Sequence, residues 1–175
     1  MKNRKLFFLF AVAACLLLAV STFAQKGESF KDANAEYVFD LPTATWKMTV
    51  KPSPTSPNVE YVYGERQSGH FGIRKQTLKS GAPLADAIRD EEQKLQFLPG
   101  YVVGKEETFN GTLDGKIFNY EFVSRGQKMS GRFYFLKAGD KTVYVIRFTG
   151  IGDKLRSIRN QTDSIARTFD VKKGK

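Results

Sequence analysis

Few side chains in this sequence have the types and spacing that catalysis or metal binding requires. His70 is the only histidine, and a histidine can act as a general base or as a metal ligand. His70 follows Gly69 in a polar segment between two apolar runs, so we expect a solvated turn residue. Metal sites built on imidazole or thiolate need several such ligands, and besides His70 the sequence offers only Cys15.

Carboxylates cluster in one segment, where Asp86, Asp90, Glu91 and Glu92 lie on a predicted helix. Two carboxylates that face each other across a cleft can hydrolyse a glycosidic bond, but no pattern here brings two together, and we expect a solvated helix face. The motif Gly-x-Ser-x-Gly and the glycine-rich phosphate-binding motifs do not occur. We therefore expect a protein that is not an enzyme and that binds neither a metal nor a cofactor.

Two other features are interpreted as structural. Residues 150–153 precede a predicted helix whose N-terminus could hold an anion, but the carboxylate of Asp153 would repel it, so we expect a turn with Asp153 as the helix N-cap. Trp46 is expected to be a core or sheet-edge aromatic rather than a ligand platform. A stripe of aromatic residues is expected to lie in the core rather than to stack on bases. The stripe consists of Phe118, Tyr120, Phe122, Phe133 and Phe135.

The first 24 residues have the layout of a secretory signal peptide. A basic start over residues 2–5 precedes the apolar run 6–20, and small residues lead to Ala24. We predict cleavage after Ala24 and therefore an exported protein, periplasmic or extracellular. The alternatives are an uncleaved anchor, or a lipid on Cys15, because residues 12–15 match the lipobox pattern of bacterial lipoproteins.

The chain is basic, with a net charge of +10. Removal of the leader with its three basic residues leaves +7, and a basic domain attracts polyanions. Export makes nucleic acid an unexpected partner, whereas anionic lipid headgroups are accessible outside the cytoplasm. The candidate contacts with an anionic surface are Lys154, Arg156, Arg159, Arg167, Lys172 and Lys173.

Alternation and turn residues predict a sheet, and helical spacing predicts two helices. The strands are predicted over residues 37–41, 46–50, 59–65, 71–78, 102–109, 117–124, 129–136 and 143–149. The first helix is predicted to begin at Pro83 and to be ended by Pro99-Gly100, and the second is predicted over residues 153–169, with a linker at 25–35 and a basic tail at 171–175. The last three strands are joined by short turns and should form an antiparallel meander, against whose aromatic face we expect the second helix to pack.

The order of these elements resembles a known family. A strand ends in Leu41-Pro42 with Trp46 shortly after it, and the segment 139–149 precedes a final helix that ends at Phe169. This arrangement, over residues 36–170, resembles the PsbP-like superfamily, which includes PsbP, the Ran-binding Mog-type fold and DcrB-like secreted bacterial proteins. The resemblance implies an α+β fold, an αβα sandwich around a central antiparallel β-sheet of about seven or eight strands and two main helices.

The resemblance also implies a non-enzymatic role in binding or assembly support, and it carries no site residue over to this chain. We therefore expect a non-catalytic secreted or periplasmic protein of the bacterial cell envelope. Its partner would be an unidentified envelope protein or small ligand, and the protein is expected to be monomeric. The alternative is a peripheral protein bound to an anionic membrane surface, or a lipid-anchored lipoprotein.

Overall fold

The computed structural model describes residues 27–172, so the leader with Cys15 and Ala24, and Lys173 in the tail, lie outside the described residues. Within this range the chain forms ten strands and three helices. None of these helices is both long enough and apolar enough to cross a membrane. The strands are β1 (Glu28–Phe30), β2 (Tyr37–Leu41), β3 (Trp46–Val50), β4 (Val59–Tyr63), β5 (His70–Thr77), β6 (Val102–Phe109), β7 (Gly115–Ser124), β8 (Gln127–Lys137), β9 (Thr142–Ile151) and β10 (Asp170–Val171). The helices are α1 (Leu84–Leu95), α2 (Gly152–Ser157) and α3 (Arg159–Thr168).

Seven strands form one antiparallel sheet in the order β3-β4-β5-β9-β8-β7-β6. The hairpin between β7 and β8 closes through a two-residue turn in which Arg125 (φ 50°) and Gly126 (φ 75°) both have positive φ. This turn matches the right-handed twist of the flanking strands. The predicted meander and the α+β fold around a central antiparallel sheet are confirmed.

A smaller sheet has the order β1-β2-β10. Strand β1 lies inside the segment predicted to be a linker, so that prediction is wrong for residues 28–30. Phe30 explains the difference, because its ring stacks on Phe39 at a centroid distance of 4.7 Å and is buried. A single apolar residue in a polar segment gives no periodicity from which a strand could be predicted.

The two faces of the large sheet are covered differently. One face, with Tyr134 and Ile146, packs against α2, α3 and the small sheet. The other face packs against α1 and carries Phe118, Phe133 and Phe135 of the aromatic stripe. The stripe lies in the core as predicted except for Phe122, which is only partly buried. The expectation that the C-terminal helix covers it is wrong, because alternation along β8 directs Phe133 and Tyr134 to opposite faces.

The predicted C-terminal helix is two helices, α2 and α3, separated at Ile158 (φ −104°, ψ 15°). Asp153 is not the N-cap: Ile151 holds that position without a side-chain hydrogen bond, and Asp153 lies in the first turn, 3.2 Å from Arg156. The break at Ile158 keeps Leu155 and Ile158 buried on the sheet together with the apolar side of α3.

Candidate functional site

A concave surface, here called the sheet groove, lies where α1 leaves part of its sheet face uncovered. It encloses about 400 Å³ and continues into a second hollow of about 290 Å³ that shares Arg66, His70, Phe122 and Thr149 with it. Strands β4, β5 and β9 supply most of the lining of the first hollow, so its side chains stand on the sheet. The charged or titratable residues of the sheet groove are Glu60, Arg66, His70, Arg74, Glu91, Arg125 and Arg147.

His70 is not the solvated turn residue that we expected. It is the first residue of β5, its side chain is only 15% exposed, and its Nε2 lies 2.9 Å from Oε2 of Glu60. The pairing of β4 with β5 brings the two together, because Val62 opposes His70 and Glu60 lies two residues away on the same face. Oε2 of Glu60 also lies 3.7 Å from the guanidinium of Arg66.

The surroundings of His70 favour its neutral form. Burial lowers the pKa of His70 below its ordinary value of 6.5, and the hydrogen bond with Glu60 opposes this change. The positive charges of Arg66 and Arg147 lower the pKa of His70 further. The imidazole of His70 therefore lies in the positive field of two arginines.

Glu91 departs from the predicted solvated helix face. It is 5% exposed, its carboxylate contacts the guanidinium of Arg74, and Nζ of Lys94 donates to its Oε1 at 2.6 Å. Asp86 fits the prediction better, since its side chain is 44% exposed and pairs with Arg89 within the helix. Both glutamates of the sheet groove are thus already neutralised by cations of the chain.

Arg147 is the half-buried cation of the groove that has no carboxylate partner among residues 27–172; Arg125 also lacks one there, but it is exposed. Its Nε donates to the hydroxyl of Tyr120 at 2.7 Å. Its guanidinium carbon lies 5.6 Å from the ring centre of Tyr120 and 5.4 Å from that of Phe133, which fits cation–π contacts. No hydrogen bond from Nη1 or Nη2 reaches another described residue, and the side chain is half-buried. The guanidinium is thus held by Tyr120 and Phe133, and Arg147 is one of the residues that line the groove.

A second concave surface, here called the helix groove, lies between α2, α3 and the edge of the sheet at β6. It encloses about 380 Å³, and Val102, Val103, Leu155, Arg156 and Arg159 contribute to its lining. Val102 is 55% and Val103 56% exposed, because β6 is an edge strand. The helix groove therefore combines exposed apolar side chains with basic ones.

Arg132 lies at the helix groove, and its charge is satisfied by the chain itself. The residue is 6% exposed. Its Nε donates to the hydroxyl of Tyr134 at 2.7 Å, Nη1 to Oδ1 of Asn119 at 2.8 Å and Nη2 to Oδ1 of Asp163 at 3.0 Å. The hydroxyl of Tyr134 in turn contacts Asp163. A buried guanidinium with this set of partners ties α3 to the sheet.

The six candidate contacts with an anionic surface do not share one environment. Arg156 and Arg159 line the helix groove, where they pair with Asp153 and Glu107, respectively. The others that the structure describes lie elsewhere: Lys154 donates to Ser68, Arg167 lies over the ring of Phe109, and Lys172 donates to the carbonyls of Asp32 and Ala35. Sequence reasoning missed Arg66, Arg74 and Arg147.

The chemistry available in the sheet groove is recognition of charge. Over residues 27–172, no three His, Cys, Asp or Glu side chains lie close enough together to hold a metal ion. The described hydrogen bond of His70 reaches the carboxylate of Glu60 and no hydroxyl or thiol. Four arginines and two paired glutamates leave an excess of positive charge in the groove.

The sequence matches no protein-family model and no curated protein, but the fold matches solved structures. The Ran-binding protein Mog1p of Saccharomyces cerevisiae aligns with a TM-score of 0.60 and 10% identity, over 84% of this chain and 96% of Mog1p. Cyanobacterial PsbP from Synechocystis aligns with a TM-score of 0.57 and 14% identity, over 86% of this chain and 95% of its own.

A third similar structure is LpqN, described as involved in cell envelope biogenesis of Mycobacterium tuberculosis. It aligns with a TM-score of 0.52 and 14% identity, over 85% of this chain and 91% of LpqN. At these identities the likeness concerns the fold alone. The chain has the PsbP/Mog1-like fold, as the order of its sequence elements predicted.

Proposed function

We propose that this chain, with its PsbP/Mog1-like fold, is an exported, non-catalytic binding or assembly-support protein of the bacterial cell envelope that holds its ligand or partner in the sheet groove. The observation that carries the proposal is the uncovered, concave part of one sheet face, where strands present a set of charged side chains. Binding sites are commonly concave and largely preformed, with a few polar groups that fix the ligand.

Three further points support the proposal. The layout of residues 1–24 is that of a signal peptide, with cleavage after Ala24 preferred to a lipid on Cys15. The similar LpqN is described as involved in cell envelope biogenesis, and Mog1p as a Ran-binding protein. The described hydrogen bond of His70 goes to the carboxylate of Glu60 rather than to a hydroxyl or thiol, which favours binding over covalent catalysis.

Site-specific photo-cross-linking in the producing organism tests the proposal. The cross-linker replaces Gln67 or Ser124, two exposed residues that line the sheet groove, and Asn160 on α3 serves as the matched control on the opposite face. We expect a cross-linked product of one defined mass in the envelope fraction from both groove positions and none from Asn160. No product from the groove positions, or the same product from Asn160, contradicts the proposal.

Mass spectrometry of the mature N-terminus tests the export part. A chain that begins at Gln25 is expected. A diacylglyceryl group on Cys15 would favour the lipid-anchored alternative over cleavage after Ala24. A chain retained in the cytoplasm with its leader intact would contradict export.

The helix groove favours a second candidate function, attachment to an anionic membrane surface. The side chains of Arg156 and Arg159 are 73% and 52% exposed and lie beside the exposed Val102 and Val103, a combination that suits a lipid interface. Binding to anionic vesicles should weaken steeply as salt is raised. The absence of vesicle binding, or binding that salt does not change, contradicts this candidate.

A further inference from the structure

The geometry points to an oxyanion-binding site at Arg147, and we propose that the sheet groove takes a ligand through a carboxylate or phosphate group. This inference rests on the proposed function in one respect, which is that the sheet groove is the binding site. It adds the chemical class of the group that is bound and the residue that binds it.

The first argument is the state of the guanidinium. A half-buried charge without a counterion loses solvation, and proteins normally repay that loss with a carboxylate partner. Arg132 receives one from Asp163, but over residues 27–172 Arg147 receives none. The Tyr120 hydroxyl and the two aromatic rings fix its orientation without neutralising it.

The second argument is the arrangement of the hydrogen-bond donors of Arg147 that have no partner. With Nε engaged by Tyr120, Nη1 and Nη2 remain as a pair of donors without a hydrogen-bond partner among the described residues, on a residue that lines the groove. Such a pair matches two oxygens of one carboxylate or phosphate, and Arg makes this contact better than Lys because its donors are planar and fixed.

The third argument is the charge of the surroundings. Glu60 and Glu91 are engaged by Arg66 and His70 and by Arg74 and Lys94, respectively, so neither repels an anion with a full, unpaired charge. Arg66 also lies on the groove, and at the other end of the lining Arg125 extends the positive charge towards the β7–β8 turn. An acidic group at Arg147 would therefore meet a net positive potential.

Calorimetric titration of the mature protein with inorganic phosphate and, separately, with succinate tests the inference at constant ionic strength. The anion that binds more tightly shows whether phosphate or carboxylate is the preferred group. We expect Arg147→Gln to weaken binding about tenfold or more, because a charge-assisted hydrogen bond is lost. Arg147→Lys should lose part of the affinity, and Arg156→Gln in the helix groove should lose none. Circular dichroism establishes that each variant is folded.

A second measurement on the unaltered protein keeps the inference testable if a variant fails to fold. An anion bound at Arg147 adds negative charge near His70, so the pKa of His70, followed by NMR, should rise when the anion is added. The inference is overturned if neither anion binds, if Arg147→Gln or Arg147→Lys binds as tightly as the original protein, or if the pKa of His70 does not move at saturation. If cross-linking from Gln67 and Ser124 is still observed in such a case, the proposed function stands and only the acidic ligand is rejected.

Discussion

Arg132 and Arg147 stand on neighbouring strands of the same sheet, point to opposite faces and differ in what surrounds their charge. Arg132 opposes Phe148 and Arg147 opposes Phe133 in the pairing of β8 with β9. The guanidinium of Arg132 donates to three side chains, one of them the carboxylate of Asp163. That of Arg147 donates to a single neutral hydroxyl. The comparison separates a cation whose charge is balanced by a carboxylate of the fold from one that is held in place without such a partner among the described residues.

The largest expected effect comes from removing the partner of Arg132. In Asp163→Ala the buried guanidinium loses its counterion, which costs about 3 kcal/mol of the free energy of unfolding. Urea unfolding measures the difference. Asp153→Ala is the matched control, because Asp153 is 93% exposed in its pair with Arg156, and its stability should be unchanged within error. Equal stabilities of the two variants would show that the Arg132 network does not hold α3 to the sheet.

A substitution at Gly131 should have a somewhat smaller effect. An added Cβ would lie 2.0 Å from Cζ of Tyr120, the residue that holds Arg147, so Gly131→Ala must displace that ring. We expect a loss of about 1–3 kcal/mol, typical of overpacking in a core, and weaker anion binding as well. Gly139→Ala, with no atom within 4 Å of the added Cβ, serves as the control in urea unfolding. A Gly131→Ala protein as stable as this control would contradict the close packing of Tyr120.

Removal of the Arg147 charge should change stability little. Arg147→Gln loses one hydrogen bond and cation–π contacts but leaves no buried charge unpaired, so the free energy of unfolding should fall by no more than about 1 kcal/mol. The same urea experiment measures it. A loss as large as that of Asp163→Ala would mean that Arg147 is a structural residue and would remove the contrast with Arg132.

The smallest effect is on the titration of His70, which an NMR experiment can follow. Arg147 helps to lower the pKa of His70, so this pKa should be higher in Arg147→Gln than in the original protein. Because the pKa is lower in the folded than in the unfolded chain, the contribution of His70 to stability is present above pH 6.5 and is lost as the pH falls from there through the lower pKa of the folded chain. In His70→Gln this fall in stability at low pH should be absent. An unchanged pKa of His70 in Arg147→Gln would show that the charge of Arg147 does not act on the imidazole.

The sheet and the long helices could be predicted from sequence because alternation and helical spacing are local signals. The face of the sheet on which Arg147 lies could also be predicted, since alternation places it on the same face as Val143 and Val145. Its candidate role in binding could not be predicted. That role depends on Tyr120 and Phe133, which reach Arg147 only through the pairing of three strands. Sequence reasoning instead selected cations on α2 and α3 that are exposed in the structure, among them Arg156 and Arg159.

His70 and the small sheet show the same limit in other ways. The proximity of His70 to Glu60 depends on the register of β4 and β5, which no residue near His70 specifies. The strands β1 and β10 have three and two residues, too few for a period to be recognised, and they form because β2 lies between them. The break at Ile158 likewise follows from packing on the sheet rather than from a helix-breaking residue.

The most direct test compares the two arginines in one NMR titration of the mature protein with phosphate or succinate. The Nε–Hε signals of Arg132 and Arg147 report separately on each guanidinium. The account predicts that the signal of Arg147 shifts with anion concentration and saturates while that of Arg132 stays in place. A shift of Arg132 alone, equal shifts of both, or no shift of either at saturating anion would contradict it.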